Sequence, residues 1–283
     1  MASKRRLLAP PLGLLVACAL SATALAGTGD AGAGGTVRSD GVAATLSYVH
    51  NAKNAVAPFS DLHLTIVRDG KKLYGAVIDN AFCGKLCAPN LPDAQRVLDV
   101  EADGQPDVLL NLYTGGAHCC NVTDVFRYDT AHDDYSSLLH IWGDPGYRLV
   151  QLDASKAYEW LTYDDRFAYE FAAFAFSGLP LQILRLHAGT FVDVTRSYPQ
   201  LVRGDAAQQW KYYLDNRKDG TGLGYLAAWA ADEYTLSRTR VVATTLAQLD
   251  KAAQLRSNSS IWPGGSKFVA NLARFLKQTG YAR

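Results

Sequence analysis

Beyond its first 26 residues the chain has no stretch approaching the roughly 18 uninterrupted apolar residues that a spanning helix requires, so the mature chain is not expected to cross a membrane. It also lacks an excess of one charge. Removing Lys4, Arg5 and Arg6 from 28 basic residues leaves 25 against 27 acidic ones, a net charge of −2. Such a balance offers no electrostatic footprint for nucleic acid or an anionic membrane. Common hydrolase signatures are missing as well: no His-Glu-x-x-His zinc motif, no Gly-x-Ser-x-Gly elbow, and no glycine-rich loop ending in Lys-Ser/Thr.

What is present begins with an export signal. Three basic residues precede an apolar run from Leu7, and Ala24-Leu25-Ala26 supplies a small-x-small cleavage site, so residues 1–26 read as a signal peptide. Leu15-Val16-Ala17-Cys18 matches the alternative lipoprotein pattern, with a lipid on Cys18. Either way the chain is expected to be secreted or periplasmic. Residues 27–40 begin with Gly and Ala and read as a flexible leader. Four cysteines remain after the signal: Cys83, Cys87, Cys119 and Cys120. An even set in an exported chain implies disulfides. Because a bond between adjacent cysteines strains the backbone, Cys83/Cys87 are expected to bridge to Cys119/Cys120. The rival is a zinc site on Cys83, Cys87, His118 and Cys120, which an oxidising compartment disfavours.

Residues 97–112 carry the most chemistry. Oxygen side chains alternate at Asp99, Glu101 and Asp103, Gly104 follows, and Asp107 precedes the apolar run Val108–Leu112. A hard cation such as Ca²⁺ wants six to eight oxygens. Asp99, Glu101, Asp103, Asp107 and the carbonyl of Gln105 could supply five, in a turn that leads into a strand. The four acidic positions align with Gln151, Asp153, Ser155 and Glu159 at a constant offset of 52, and Lys156 replaces the glycine. Arg68, Arg127 and Arg185 sit in hairpin-like segments 59 and 58 residues apart, a period that signals a repeat architecture. Alternation at Leu62/Leu64/Ile66, Val108/Leu110/Leu112 and Leu181/Ile183 favours strands.

Together, Asp99-x-Glu101-x-Asp103-Gly104-x-x-Asp107 and the strand after it resemble the metal loop of FG-GAP repeats, the blades of integrin-α-type β-propellers, and of the related VCBS-type repeats of secreted bacterial proteins. The resemblance implies a propeller-like or partial-propeller domain over residues 41–204, with Ca²⁺ held by the five residues just named. From residue 205 the spacing of Trp210/Tyr213/Leu214, Leu226/Trp229/Ala230/Tyr234 and Phe268/Leu272/Phe275/Leu276 predicts a helical subdomain to residue 283, giving an α+β chain overall. Two functions follow. The first is a calcium-stabilised binding protein of the cell envelope, with an unidentified protein or carbohydrate ligand. The second is a glycan hydrolase using carboxylates near Asp164 and Asp165, with Glu159 or Glu170 as possible partners; it requires two carboxyl groups facing one cavity.

Overall fold

The computed structural model describes residues 34–54 and 57–282; the signal segment, its cleavage site and Cys18 lie outside them. Three antiparallel sheets follow one another along the chain. The first contains β1 (Thr36–Ser39), β2 (Val42–His50), β3 (Phe59–Arg68) and β4 (Lys71–Val77), paired in chain order. The second contains β5 (Ala88–Pro89), β6 (Gln95–Leu98), β7 (Asp107–Gly116), β8 (Cys119–Asp129) and β9 (Asp134–Gly143); β5 and β6 share one side of β7. The third is β10 (Arg148–Val150), β11 (Glu159–Tyr163), β12 (Leu181–His187) and β13 (Thr190–Asp193), again in order. Four helices complete the chain: α1 (Pro199–Asn216), α2 (Leu223–Thr235), α3 (Thr239–Lys251) and α4 (Gly265–Gln278). The fold is therefore mainly β with four helices, α+β overall, and the three sheets are separate rather than joined into one ring.

Two boundaries differ from those read in the sequence. The segment taken as a leader contains β1, whose Thr36 pairs with Thr45 through a tight Asp40-Gly41 turn in which both residues have positive φ. That turn matches the twist of the flanking strands, as Asp-Gly hairpins do. The helices start at Pro199 rather than residue 205, with proline in the first turn, where its missing N–H costs nothing.

Burial explains the layering. Side chains of a strand alternate between faces. Val108, Leu110 and Leu112 of β7 meet Val42, Ala44, Leu46, Leu64 and Ile66 of the first sheet in one core. Leu109, with Val125 and Trp142, packs with Trp160, Leu184 and Leu186 of the third sheet in another. The middle sheet is thus covered on both faces, which accounts for a β7 that reads as a continuous apolar run. Leu181 and Ile183 on the third sheet pack with Val202 of α1. The alanine-rich α2 lies at the centre of the helical core, among Tyr213, Leu246, Phe268 and Leu272. Among the described residues no helix is long and apolar enough to cross a membrane.

Candidate functional site

The acidic turn folds on itself. Asp99 accepts the backbone N–H groups of Asp103 (3.0 Å) and Gly104 (2.8 Å), and Asp103 accepts that of Gln105 (2.9 Å). Gly104 takes φ +83°, the left-handed conformation for which glycine has no steric penalty. Glu101 is paired with Arg127, whose Nε donates at 2.6 Å, and also accepts the Ala188 N–H at 2.6 Å. The Gln105 amide oxygen accepts from Arg68, whose guanidinium also lies 4.0 Å over the Tyr128 ring. Asp107 is different. It is 4% exposed, and its carboxylate accepts one long bond from the Val100 N–H, 3.3 Å. Burial pushes its pKa up to about 8, and Glu101 and Asp103 nearby push the same way. The oxygens have the chemistry a hard cation prefers, but among the described residues no three acidic, histidine or cysteine side chains converge on one point.

The turn at 151–159 follows the same hydrogen-bond plan. The Leu152 N–H donates to Glu159 (2.9 Å) as Val100 does to Asp107, and Ala157 donates to Ser155 (3.3 Å) as Gln105 does to Asp103. Lys156, at the position of Gly104, has φ +65°. The carboxylates are treated differently here. Glu159, with no solvent exposure, accepts from Arg185 Nε at 3.0 Å and from the Tyr198 hydroxyl at 2.9 Å, while Arg185 also reaches Asp153 at 2.6 Å. Ser155 and Arg185 hold Asp153 well below the usual carboxylate range, whereas burial and the bond to Glu159 raise Tyr198 to about 12.

All four cysteines are in disulfides, as expected, but the expected cross-pairing is overturned. Cys83 bonds to Cys87, their Cα atoms 5.5 Å apart, and Cys119 bonds to Cys120 across a cis peptide. The cause of the first pairing is local. Buried Asn80, anchored to Asp124 at 2.9 Å, accepts the Phe82 N–H at 2.8 Å and bridges to Gly84, turning the chain back within one loop. That places both Cα atoms inside the distance window of a disulfide. Each bond staples a single turn and does not tie the two segments together. With the thiols consumed, the zinc arrangement has no thiolate ligands; His118 lies against the ring of Phe174, 4.0 Å between centroids.

Asp164 and Asp165 have separate partners. Asp164, 3% exposed, caps a short helical turn and is held by Arg166 at 2.6 and 2.8 Å and by the Tyr281 hydroxyl at 3.0 Å. Asp165 accepts the Asp144 N–H at 3.4 Å beside Gly143. Glu159 is occupied in the arginine network described above, and Glu170 lines a different depression with Ile261 and Trp262.

A further feature was missed in the sequence. Where β5 and β6 part along β7, the loop 90–94 bulges outward through a cis Leu91-Pro92 bond, and the 144–147 segment faces it across a cleft of about 390 Å³. A volume in this range suits a small-molecule site. Its floor is a saturated network: Asn111 Oδ1 accepts from Thr123 (2.9 Å) and Tyr147 (2.8 Å), Trp142 Nε1 donates to Thr123 (2.9 Å), and Asn111 Nδ2 donates to the Asp93 carbonyl (2.8 Å). Asn121 spends its amide N–H on Gly143 and Asp144 and accepts from Asn90 at 3.0 Å. The side chains of Asp93 and Arg96, both exposed at the rim, make no hydrogen bond or ion pair among the described residues. Only the Asn-Leu-Pro-Asp turn at 90–93 marks this place in the sequence.

Comparison with known proteins adds two partial matches. Over 144 residues, 49% of the chain, it is 33% identical to a probable thylakoid lumen protein of Synechocystis sp., of which the match covers 42%. Over 138 residues, 46% of the chain, it is 28% identical to an uncharacterized protein of Sinorhizobium fredii, of which it covers 21%. The chain thus matches less than half the length of these curated relatives. No protein-family profile and no solved structure matches it.

Proposed function

We propose that this chain is a secreted, extracytoplasmic binding protein whose β part consists of FG-GAP-like, propeller-type blades. In this reading Ca²⁺ reinforces the turn at 99–107 and the cleft between loops 90–94 and 144–147 takes the ligand. The observation that carries the binding role is the contrast inside that cleft: a rigid, internally satisfied floor below rim groups that have no partners of their own. Sites of this kind need a fixed supporting shell and few, well-placed free polar groups. Three successive antiparallel sheets, the second and third sharing one turn plan, support the blade reading. The name of the Synechocystis relative and the N-terminal signal support an extracytoplasmic location.

Calcium would be held by Asp99, Glu101, Asp103, Asp107 and the Gln105 carbonyl, and would neutralise the buried Asp107. Because these donors do not converge as they stand, the turn has to close around the ion. A ligand that binds only the native state raises the melting temperature. Calcium should therefore raise it and chelator lower it, and the double change Asp99→Ala, Asp103→Ala should abolish the difference. Changing Asp153 should leave any calcium response intact. Identical melting with calcium and with chelator would remove the ion from the proposal. For the cleft, a thermal-shift panel of saccharides, amino acids, amines and carboxylates should contain at least one stabilising class, lost in Asp93→Ala and Arg96→Ala. These two exposed side chains have no structural bonds to lose.

A further inference from the structure

The donors and acceptors left over in the cleft define what can fill it. Tyr147 commits its phenolic proton to Asn111 and belongs to the satisfied floor, so the free polar groups are those of the rim. Asn90 commits an amide N–H to Asn121, leaving its carbonyl oxygen free. The Asp93 carboxylate adds two more acceptor atoms, and Arg96 is the one cationic donor lining the cleft. A ligand carboxylate or phosphate could pair with Arg96 but has no proton to give to Asp93 or the Asn90 carbonyl oxygen. A cationic amine could satisfy the acceptors but would face the Arg96 guanidinium. One charge of each sign at the rim leaves no net attraction for an ion.

Resting on the binding role proposed above, we infer that the cleft binds a neutral saccharide of one or two rings. Each sugar hydroxyl donates one hydrogen bond and can accept others, so a neighbouring pair can donate to Asp93 or Asn90 while accepting from Arg96. Planar amide, carboxylate and guanidinium groups fix direction, which is where specificity arises when a buried polar group would otherwise be left unpaired. Leu91, Pro92 and Pro145 on the walls offer apolar surface to the C–H face of a ring.

The test uses the chain from residue 27 onward and saturation-transfer NMR with titration calorimetry. The probes are glucose, galactose, N-acetylglucosamine and maltose, set against glycine, putrescine and citrate. At least one saccharide should bind, and Asp93→Ala should weaken it about tenfold, which corresponds to about 1.4 kcal/mol. Arg96→Ala should do the same, and circular dichroism and melting should show that the Asp93 and Arg96 variants keep the fold. Removing one hydroxyl from the bound sugar should cost affinity in the native chain but little in the variant that lacks its partner. If glycine, putrescine or citrate binds in the cleft in preference to every sugar, the saccharide inference falls and the binding role stands. If no probe binds, both fall.

Discussion

The turns at 99–107 and 151–159 trace one backbone plan but solve the same electrostatic problem differently. Both bury a carboxylate at the ninth position, where it accepts the N–H of the second residue. At 151–159 that residue is Glu159, which reaches Arg185 and Tyr198. At 99–107 it is Asp107, one methylene shorter, and the matching Arg127 pairs with Glu101 instead. A buried acid without a counter-charge takes a proton in preference to staying ionised. One methylene therefore separates a turn whose buried acid is closed by a guanidinium from a turn whose acid is left to its surroundings.

The strongest way to break the comparison is to remove the arginines. Arg185→Met leaves Glu159 buried without its counter-charge and should cost roughly 3–5 kcal/mol in denaturant unfolding. Arg127→Met leaves Glu101 its Ala188 N–H and should cost roughly 1–3 kcal/mol. Equal losses would mean that the two turns do not differ in the way described. A middle-sized effect comes from pH. The Asp107 pKa is raised in the folded chain, so its contribution is fully present below about pH 4 and is lost as pH rises through about 8. Without calcium, stability should therefore decline across that window from this group, and Asp107→Asn should flatten the decline in urea titrations at several pH values. An unchanged slope in the variant would show that Asp107 is ionised in the native chain. The smallest effect is steric. Lys156 holds φ +65° where the first turn has glycine, so Lys156→Gly should stabilise by about 0.5–1 kcal/mol, and Gly104→Lys should destabilise by a similar amount, both measurable as shifts in urea midpoint.

How far the sequence could be read depended on whether a feature was local. The strand alternation at Val108/Leu110/Leu112 and the helical stripe through Phe268, Leu272 and Leu276 lie within single elements, and both sets are buried as their periods require. The 52-residue offset was visible because each turn sets its own oxygens against its own backbone. Helix α3 falls inside the expected helical stretch, and its Val242, Leu246 and Leu249 recur at i, i+4 and i+7 and are all buried. The Asp40-Gly41 hairpin was hidden by the Gly/Ala-rich stretch preceding it. Cysteine pairing is not legible from the cysteines alone, because the turn that brings Cys83 to Cys87 depends on Asn80 being anchored to the distant Asp124. The cleft was out of reach for a different reason. Asn90, Asn111, Asn121 and Tyr147 come from four separate segments, and only the gap between β5 and β6 in their shared register along β7 brings them together.

The order of the sheets along the chain has a consequence for assembly. Within each sheet every strand after the first pairs with its predecessor in sequence, apart from β6, which like β5 waits for β7. Each meander closes through short-range pairing, and local pairings are the fast ones to form. A chain emerging from its N-terminus can thus complete the first sheet before the second exists, and that sheet then offers an apolar face on which β7 settles. Growth proceeds layer upon layer, and the helical end arrives last to seal the remaining face of the third sheet. In such a stack the second and third sheets cannot be lost singly: removal of either uncovers two cores at once, whereas the first sheet guards one.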